Sequence, residues 1–145
     1  MRKGTWEYEV TARCALADAV SLMADVERLG EVHPLVTKVV PVERMPTALR
    51  SYAVTDKLQW GPFRFPITYH ADVISVSDLE VVTTARQRPA TTLWITSQFQ
   101  VDGETVHIAV SVLLRAPSLL FPYAYRTGKA AHLELAQRIR TVLER

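Results

Sequence analysis

The last stretch of the chain, Ser118 to Arg145, is its one long helical pattern, and its core-facing stripe changes character half-way. At about 100° per residue, with Leu135 at the centre, the inward face collects Ala124, Gly128, Ala131, Leu135, Ile139 and Val142. The second half is bulky and anchors the helix. The first half is nearly bare, although Leu at those positions would bury more apolar surface. A helix that served only to fill a core has no use for Ala, Gly and Ala in succession, so the pattern predicts that this half roofs a cavity.

What precedes the helix is mostly β. Trp6, Tyr8, Val10 and Ala12 alternate with Glu7, Glu9 and Thr11 in a half-buried first strand. Two short helices follow, Ala15 to Ala24 and Asp25 or Val26 to about Val32, stopped by Gly30 and the His33-Pro34 pair. Leu35 to Val42, with Pro41, suits an edge strand. Strand three, Ser51 to Trp60, presents Tyr52, Val54, Asp56, Leu58 and Trp60 on one face. The Trp60-Gly61-Pro62 turn leads to strand four, whose inward set is Phe63, Phe65, Ile67, Tyr69, Ala71 and Val73, with pairing expected to fail near Pro66. Strand five, about Glu80 to Arg88, has adjacent Val81 and Val82, which leaves its facing open. Strands six and seven, Thr92 to Val101 and Thr105 to Arg115, are joined by the hairpin signal Asp102-Gly103. Their inward faces carry Leu93, Ile95, Ser97, Phe99 and Val101, then Val106, Ile108, Val110, Val112 and Leu114. Ser118 is the expected cap of the closing helix.

The 145 residues suit a single domain, 1–145, of α+β class: a curved antiparallel sheet of six to seven strands wrapped around a long C-terminal helix, with two short helices after strand one. Seventeen basic and fifteen acidic side chains are spread along the sequence for a net charge of +2, with no basic block, so nucleic acid is not an expected partner. Cys14 is the only cysteine, which excludes an internal disulfide and favours a reducing compartment. Trp6-Glu7-Tyr8-Glu9 cannot form the apolar core of a signal peptide, and no apolar run approaches the roughly 20 residues of a membrane span. A cytoplasmic protein without integral membrane association is expected.

The opening strand with Trp6 and Tyr8, the passage Met23-Ala24-Asp25-Val26-Glu27-Arg28-Leu29, the His33-Pro34-Leu35-Val36 segment and the closing Leu133 to Leu143 helix together resemble the START/SRPBCC superfamily. That group shares the helix-grip fold of the birch-pollen allergens, the lipid-transfer START domains and the polyketide cyclase/dehydrase proteins. The resemblance covers nearly the whole chain. It implies a hydrophobic cavity between sheet and helix, and because one fold hosts both carriers and enzymes it leaves two functions open. The first is binding or carriage of a lipid, isoprenoid, polyketide or similar apolar molecule. The alternative is an aromatase/cyclase-type enzyme that folds a polyketide-like chain in the same cavity, with Asp56, Tyr69, Arg86 or His132 assisting proton transfer. The predominance of apolar residues on the inward faces ranks the first above the second.

Asp56 is the most informative single residue, because alternation places it on the interior face between Val54 and Leu58, where a carboxylate must be paired, hydrogen-bonded or protonated. Either strand three twists and leaves it at a solvated sheet end, or it binds a ligand hydroxyl or acts as an acid or base, facing Arg86 if strand five turns that residue inward. Tyr69 and Ser97 also face inward and could orient a polar group. Tyr125 and His132 lie on the flank of the closing helix and could wall the entrance; the plainer reading of His132 is a half-exposed surface histidine. The expected lining adds Val54, Leu58, Ile67, Ile95, Ile108 and Val110 to Ala124, Gly128 and Ala131. His33, His70, His107 and His132 have no acidic or cysteine neighbour at metal-site spacing, and no phosphate loop or dinucleotide fingerprint occurs, so neither metal nor cofactor is expected. Trp60-Gly61-Pro62-Phe63 is read as a hairpin tip beside the pocket mouth or as a satellite cluster under a loop.

Overall fold

A computed structural model describes residues 1–145. Alternation translates into long strands, β1 (Arg2–Arg13), β2 (Val36–Val42), β3 (Arg50–Trp60), β4 (Phe63–Val76), β5 (Glu80–Gln87), β6 (Thr91–Asp102) and β7 (Thr105–Ala116). Two short helices, α1 (Leu16–Met23) and α2 (Val26–Val32), follow β1, and α3 (Phe121–Leu143) closes the chain. All seven strands form one antiparallel sheet in the order β1-β7-β6-β5-β4-β3-β2. From β2 onward each strand therefore pairs with its neighbour in sequence, while β1 joins the far edge against β7. The helix pair α1–α2 carries the chain from one edge to the other, and the Asp25 carboxylate caps α2 by accepting from the Arg28 N–H at 3.1 Å.

The main core lies where β1, β6 and β7 face α1 and α3, with Trp6, Ile108, Val110, Leu114, Leu135 and Ile139 among its buried members. A smaller cluster of Tyr52, Val54, Ala71 and Val73 packs with Val26, Val36 and Val39 on the β2–β4 side. Because α3 packs chiefly along β1 and meets β7 and α2 only locally, it leaves the concave face of β3 to β5 uncovered by its bulky residues.

Two sequence expectations change, and the facing of β5, left open by the sequence, is explained. The register of β3 with β4 runs unbroken from Arg50↔Val73 to Trp60↔Phe63, through Lys57↔Pro66. The Lys57 N–H donates to the Leu35 carbonyl on the β2 side, so Pro66 turns its missing N–H away from β3, and β5 does not extend far enough to need it. In β5, Val81 and Val82 are both buried and the β4 register shifts between Val73 and Ser75, which is why simple alternation could not assign its faces. The closing helix starts at Phe121 rather than Ser118, with Leu120 as its N-cap and no side-chain cap. Pro122 in the first turn has no N–H to satisfy, and the Phe121 N–H donates to the Pro117 carbonyl, so a serine cap is dispensable there.

Candidate functional site

A cavity of about 300 Å³ lies between α3 and the concave face of β3 to β5. Fourteen of its 23 lining residues are hydrophobic. Leu58, Phe65 and Ile67 come from β3 and β4, Ala85 and Leu93 from β5 and β6, and Ala124, Gly128 and Ala131 from α3. The cavity exists because the helix presents small side chains where the sheet curves away, but Gly128 has a further reason. A Cβ there would lie 3.0 Å from Cη2 of Trp6, so the glycine admits the indole and Trp6 forms part of the inner wall.

The polar groups gather in this mainly apolar space. His132 is buried, and its Nδ1 accepts a hydrogen bond from Trp6 Nε1–H at 3.3 Å. Nδ1 of His33 accepts from the Leu35 backbone N–H at 3.1 Å, and the two imidazoles meet edge-to-face at 5.9 Å between centroids. With Nδ1 accepting on both rings, each carries its proton on Nε2, which has no hydrogen-bond partner within the protein. Burial lowers His132 to about 3, helped by the adjacent His33. Burial likewise lowers His33 to about 4, reinforced by Arg138 and opposed by Glu134. Both rings are neutral at pH 7.

Asp56 reaches the same cavity from β3, and its Oδ1 is buried without a hydrogen-bond partner. Burial pushes its carboxyl up to about 6, against the opposing effect of a hydrogen bond from the Tyr69 hydroxyl. Tyr69 lies two residue pairs along on the neighbouring strand, on the same face, since Val54 faces Tyr69 and Asp56 faces Ile67. Its phenol is held well above its ordinary range by burial and then by the nearby carboxylate. One end of the cavity is lined by Trp60 and Tyr123, whose rings stack at 5.0 Å, with the Tyr123 hydroxyl donating to the Gln59 carbonyl at 3.1 Å. Arg88 and Pro89 of the β5–β6 turn line that same end.

No protein-family model matches the chain, and no curated protein matches its sequence. Solved structures do match. The di-domain ARO/CYC StfQ from the steffimycin biosynthetic pathway superposes over 97% of this chain with a TM-score of 0.76 at 15% identity; this chain spans 51% of that protein. A START superfamily protein from Mycobacterium smegmatis matches over 95% of this chain and 98% of its own, with a TM-score of 0.68 at 11% identity. The ZhuI aromatase/cyclase from Streptomyces sp. R1128 matches over 95% and 94%, with a TM-score of 0.61 at 13% identity. The chain has the helix-grip fold of the START/SRPBCC superfamily.

Within this helix-grip architecture Asp56, Leu58, Ile67, Tyr69, Ala124, Gly128, Ala131 and His132 line the cavity. His132 is not a surface histidine, because α3 turns it inward onto Trp6 and Tyr8. Asp56 does not sit at a solvated sheet end. Other candidates lie elsewhere. Arg86 shares the outer face of β5 with Thr84, and its Nε donates to the buried Asp72 carboxylate at 3.0 Å, so it does not meet Asp56. Ile95 and the buried Ser97, Ile108 and Val110 point inward but lie outside the lining, in the part of the sheet that α1 and the bulky half of α3 already cover. Val54 is taken up by the smaller cluster beside α2. Tyr125 turns toward β1, donating to the Thr5 carbonyl at 2.8 Å and packing edge-to-face on Trp6 at 5.4 Å. Sequence reasoning missed Trp6, His33, Gln87, Thr91, Tyr123 and Thr127 as lining residues. The inward alternation of Trp6 was a usable signal; His33 read only as a helix stop.

Proposed function

We propose that this chain binds a small molecule with an apolar body and a polar end that hydrogen-bonds Asp56. The observation that carries this reading is the buried Oδ1 of Asp56, unpartnered inside a cavity with mainly hydrophobic walls. That oxygen loses water without gaining a protein donor of its own, and a ligand hydroxyl or amine replaces that partner. The Nε2–H groups of His33 and His132 supply donors to the same space, so a ligand carbonyl or ether has partners as well. A volume of about 300 Å³ suits a compact ring system or a short folded chain. The match to a START superfamily protein agrees with a fold that binds hydrophobic ligands, and a lipid, isoprenoid or polyketide is the class we propose for this cavity.

The direct test is native mass spectrometry of the purified protein for a co-purifying small molecule, paired with titration of 8-anilinonaphthalene-1-sulfonate in parent and Asp56→Leu proteins. Saturable dye uptake that a co-purified molecule displaces supports the reading. Absence of both sinks it.

A second reading, an aromatase/cyclase-type enzyme acting on a chain folded in the cavity, is favoured by one observation. Asp56, with its carboxyl near 6, can give and take a proton close to neutral pH, and the two imidazoles beside it, near 4 and 3, stay neutral there and offer Nε2–H hydrogen bonds to developing negative charge. The ARO/CYC and aromatase/cyclase matches agree with it. Asp56→Asn and Tyr69→Phe variants that keep ligand affinity but abolish turnover of a poly-β-keto thioester decide for the enzyme; no turnover by the parent decides against it.

A further inference from the structure

The seventeen basic side chains are spread through the sequence but not through space. The pairings Arg2↔Ala116, Thr92↔Arg115 and Arg86↔Thr92 bring the start of β1, the end of β7 and the β5–β6 turn to one end of the sheet. The β3–β4 hairpin and the first turns of α3 lie at that end too, as the Tyr123 contact with Gln59 requires. The segments that meet there, residues 1–6, 52–72, 83–94 and 113–129, hold nine lysines and arginines and two carboxylates, Asp56, whose Oδ1 is buried in the cavity, and the buried Asp72. Of the cations, Arg86 is occupied by Asp72. Arg2, Lys3, Lys57, Arg64, Arg88 and Arg126 are exposed and form no salt bridge.

Large apolar side chains stand out from the same end. Leu119 is 91% exposed on the β7–α3 loop, Phe63 71% and Trp60 55% on the β3–β4 hairpin. They occupy separate projecting tips beside the end of the cavity lined by Trp60, Arg88 and Leu120. The opposite end also exposes Leu49 and Leu79, but among Glu43, Asp78, Glu80, Asp102 and Glu104. Apolar exposure is common to both ends; the union of apolar tips with uncompensated positive charge belongs to one.

We infer that this end docks on the surface of an anionic lipid bilayer, with Phe63, Leu119 and Trp60 entering the headgroup region and the surrounding cations meeting lipid phosphates. Charge complementarity selects the sign of the surface. The projecting form of the apolar residues selects a bilayer over a folded protein, whose anchors would need a concave pocket and a continuous patch. Docking there brings the end of the cavity lined by Trp60, Arg88 and Leu120 against the membrane, which shortens the path of an apolar molecule between lipid and cavity. The surface features stand whatever molecule the cavity takes.

The test is co-sedimentation with vesicles of phosphatidylcholine alone and of phosphatidylcholine mixed with phosphatidylglycerol. The parent protein is expected to sediment with the anionic vesicles only, less so as salt rises. Tryptophan fluorescence should be quenched by brominated acyl chains, with the quenching largely lost in Trp60→Phe. Phe63→Asp with Leu119→Asp should weaken association about tenfold or more while preserving the parent melting temperature, since both side chains are exposed. The inference is overturned if the parent ignores anionic vesicles. It is overturned equally if the double variant binds as the parent does, which would mark attraction to any polyanion, or if an acidic soluble protein is bound while vesicles are not. Dye uptake in lipid-free solution reads the cavity separately, so loss of docking and loss of ligand binding are distinguishable.

Discussion

Trp6 donates its indole N–H to Nδ1 of His132 at 3.3 Å, tying the first strand to the middle of the last helix at the inner wall of the cavity. That one bond does several things. It fixes the His132 tautomer so that Nε2–H is the remaining donor, it satisfies the buried indole, and it holds Trp6 in the notch at Gly128. The rings of Tyr8 and Tyr125 meet His132 and Trp6 edge-to-face and restrict both further.

Gly128→Ala should therefore destabilise the protein although it sits inside a helix. Exchanging Gly for Ala in a helix interior ordinarily gains about 1 kcal/mol. Here the new Cβ meets Trp6 Cη2 at 3.0 Å, and the indole is pinned by His132 and Tyr125. Displacing it weakens the hydrogen bond and the packing together, for a net loss of about 1–2 kcal/mol. Chemical denaturation of the two proteins checks this; a stabilised variant would show that Trp6 yields freely.

Arg86→Met should lower stability and leave the cavity unaffected. The Asp72 carboxylate is buried and accepts from Ser51 Oγ at 2.6 Å and Arg86 Nε at 3.0 Å. Removing the guanidinium leaves the carboxylate without its cation. Because Arg86 is partly exposed, the loss should be about 2 kcal/mol rather than the 3–5 of a fully buried pair. Dye affinity measured alongside the melt should match the parent, since Arg86 sits on the outer face. Loss of affinity with unchanged stability would reverse the assignment.

The order of elements was legible because alternation, turn residues and the closing stripe are local signals. The bare half of α3 is a case in point: Ala124, Gly128 and Ala131 line the cavity, though Gly128 also admits an indole from the other end of the chain. What was not legible depends on how the helix lies across the sheet. Periodicity marks Ile108 and Val110 as inward but cannot say that the main core occupies their side while Ala85 and Leu93 face open space. The same limit applies to charge, where an even spread along the sequence conceals the separation produced by folding every second turn to one end.

Filling the cavity from both sides should abolish dye uptake without unfolding the chain. Ala124→Leu from the roof and Ala85→Leu from the floor both extend into space, and neither residue is fully buried. The expected result is a dye affinity reduced at least about tenfold, with stability within about 1 kcal/mol of the parent. Unchanged uptake would place the dye outside the cavity.

Stability should fall as the solution is acidified, and Asp56 should blunt the fall. His33 and His132 have folded values near 4 and 3, below the ordinary 6.5, so between about 3 and 6.5 the unfolded chain binds more protons than the folded one. Their contribution to stability is present above pH 6.5 and is lost as pH falls through that window. Asp56 works in the opposite sense. Its folded value near 6 exceeds the ordinary 3.8, so its contribution is fully present below 3.8 and disappears as pH rises through 6. Between pH 4 and 6 the two histidines outweigh the one carboxyl, and the parent should become less stable toward acid. Asp56→Asn removes the opposing group. This variant should exceed the parent by about 1–3 kcal/mol at pH 8 and lose stability more steeply on acidification, as urea unfolding across the pH range will measure. Parallel profiles for the two proteins would show that the Asp56 carboxyl titrates at its ordinary value and is solvated in the folded state.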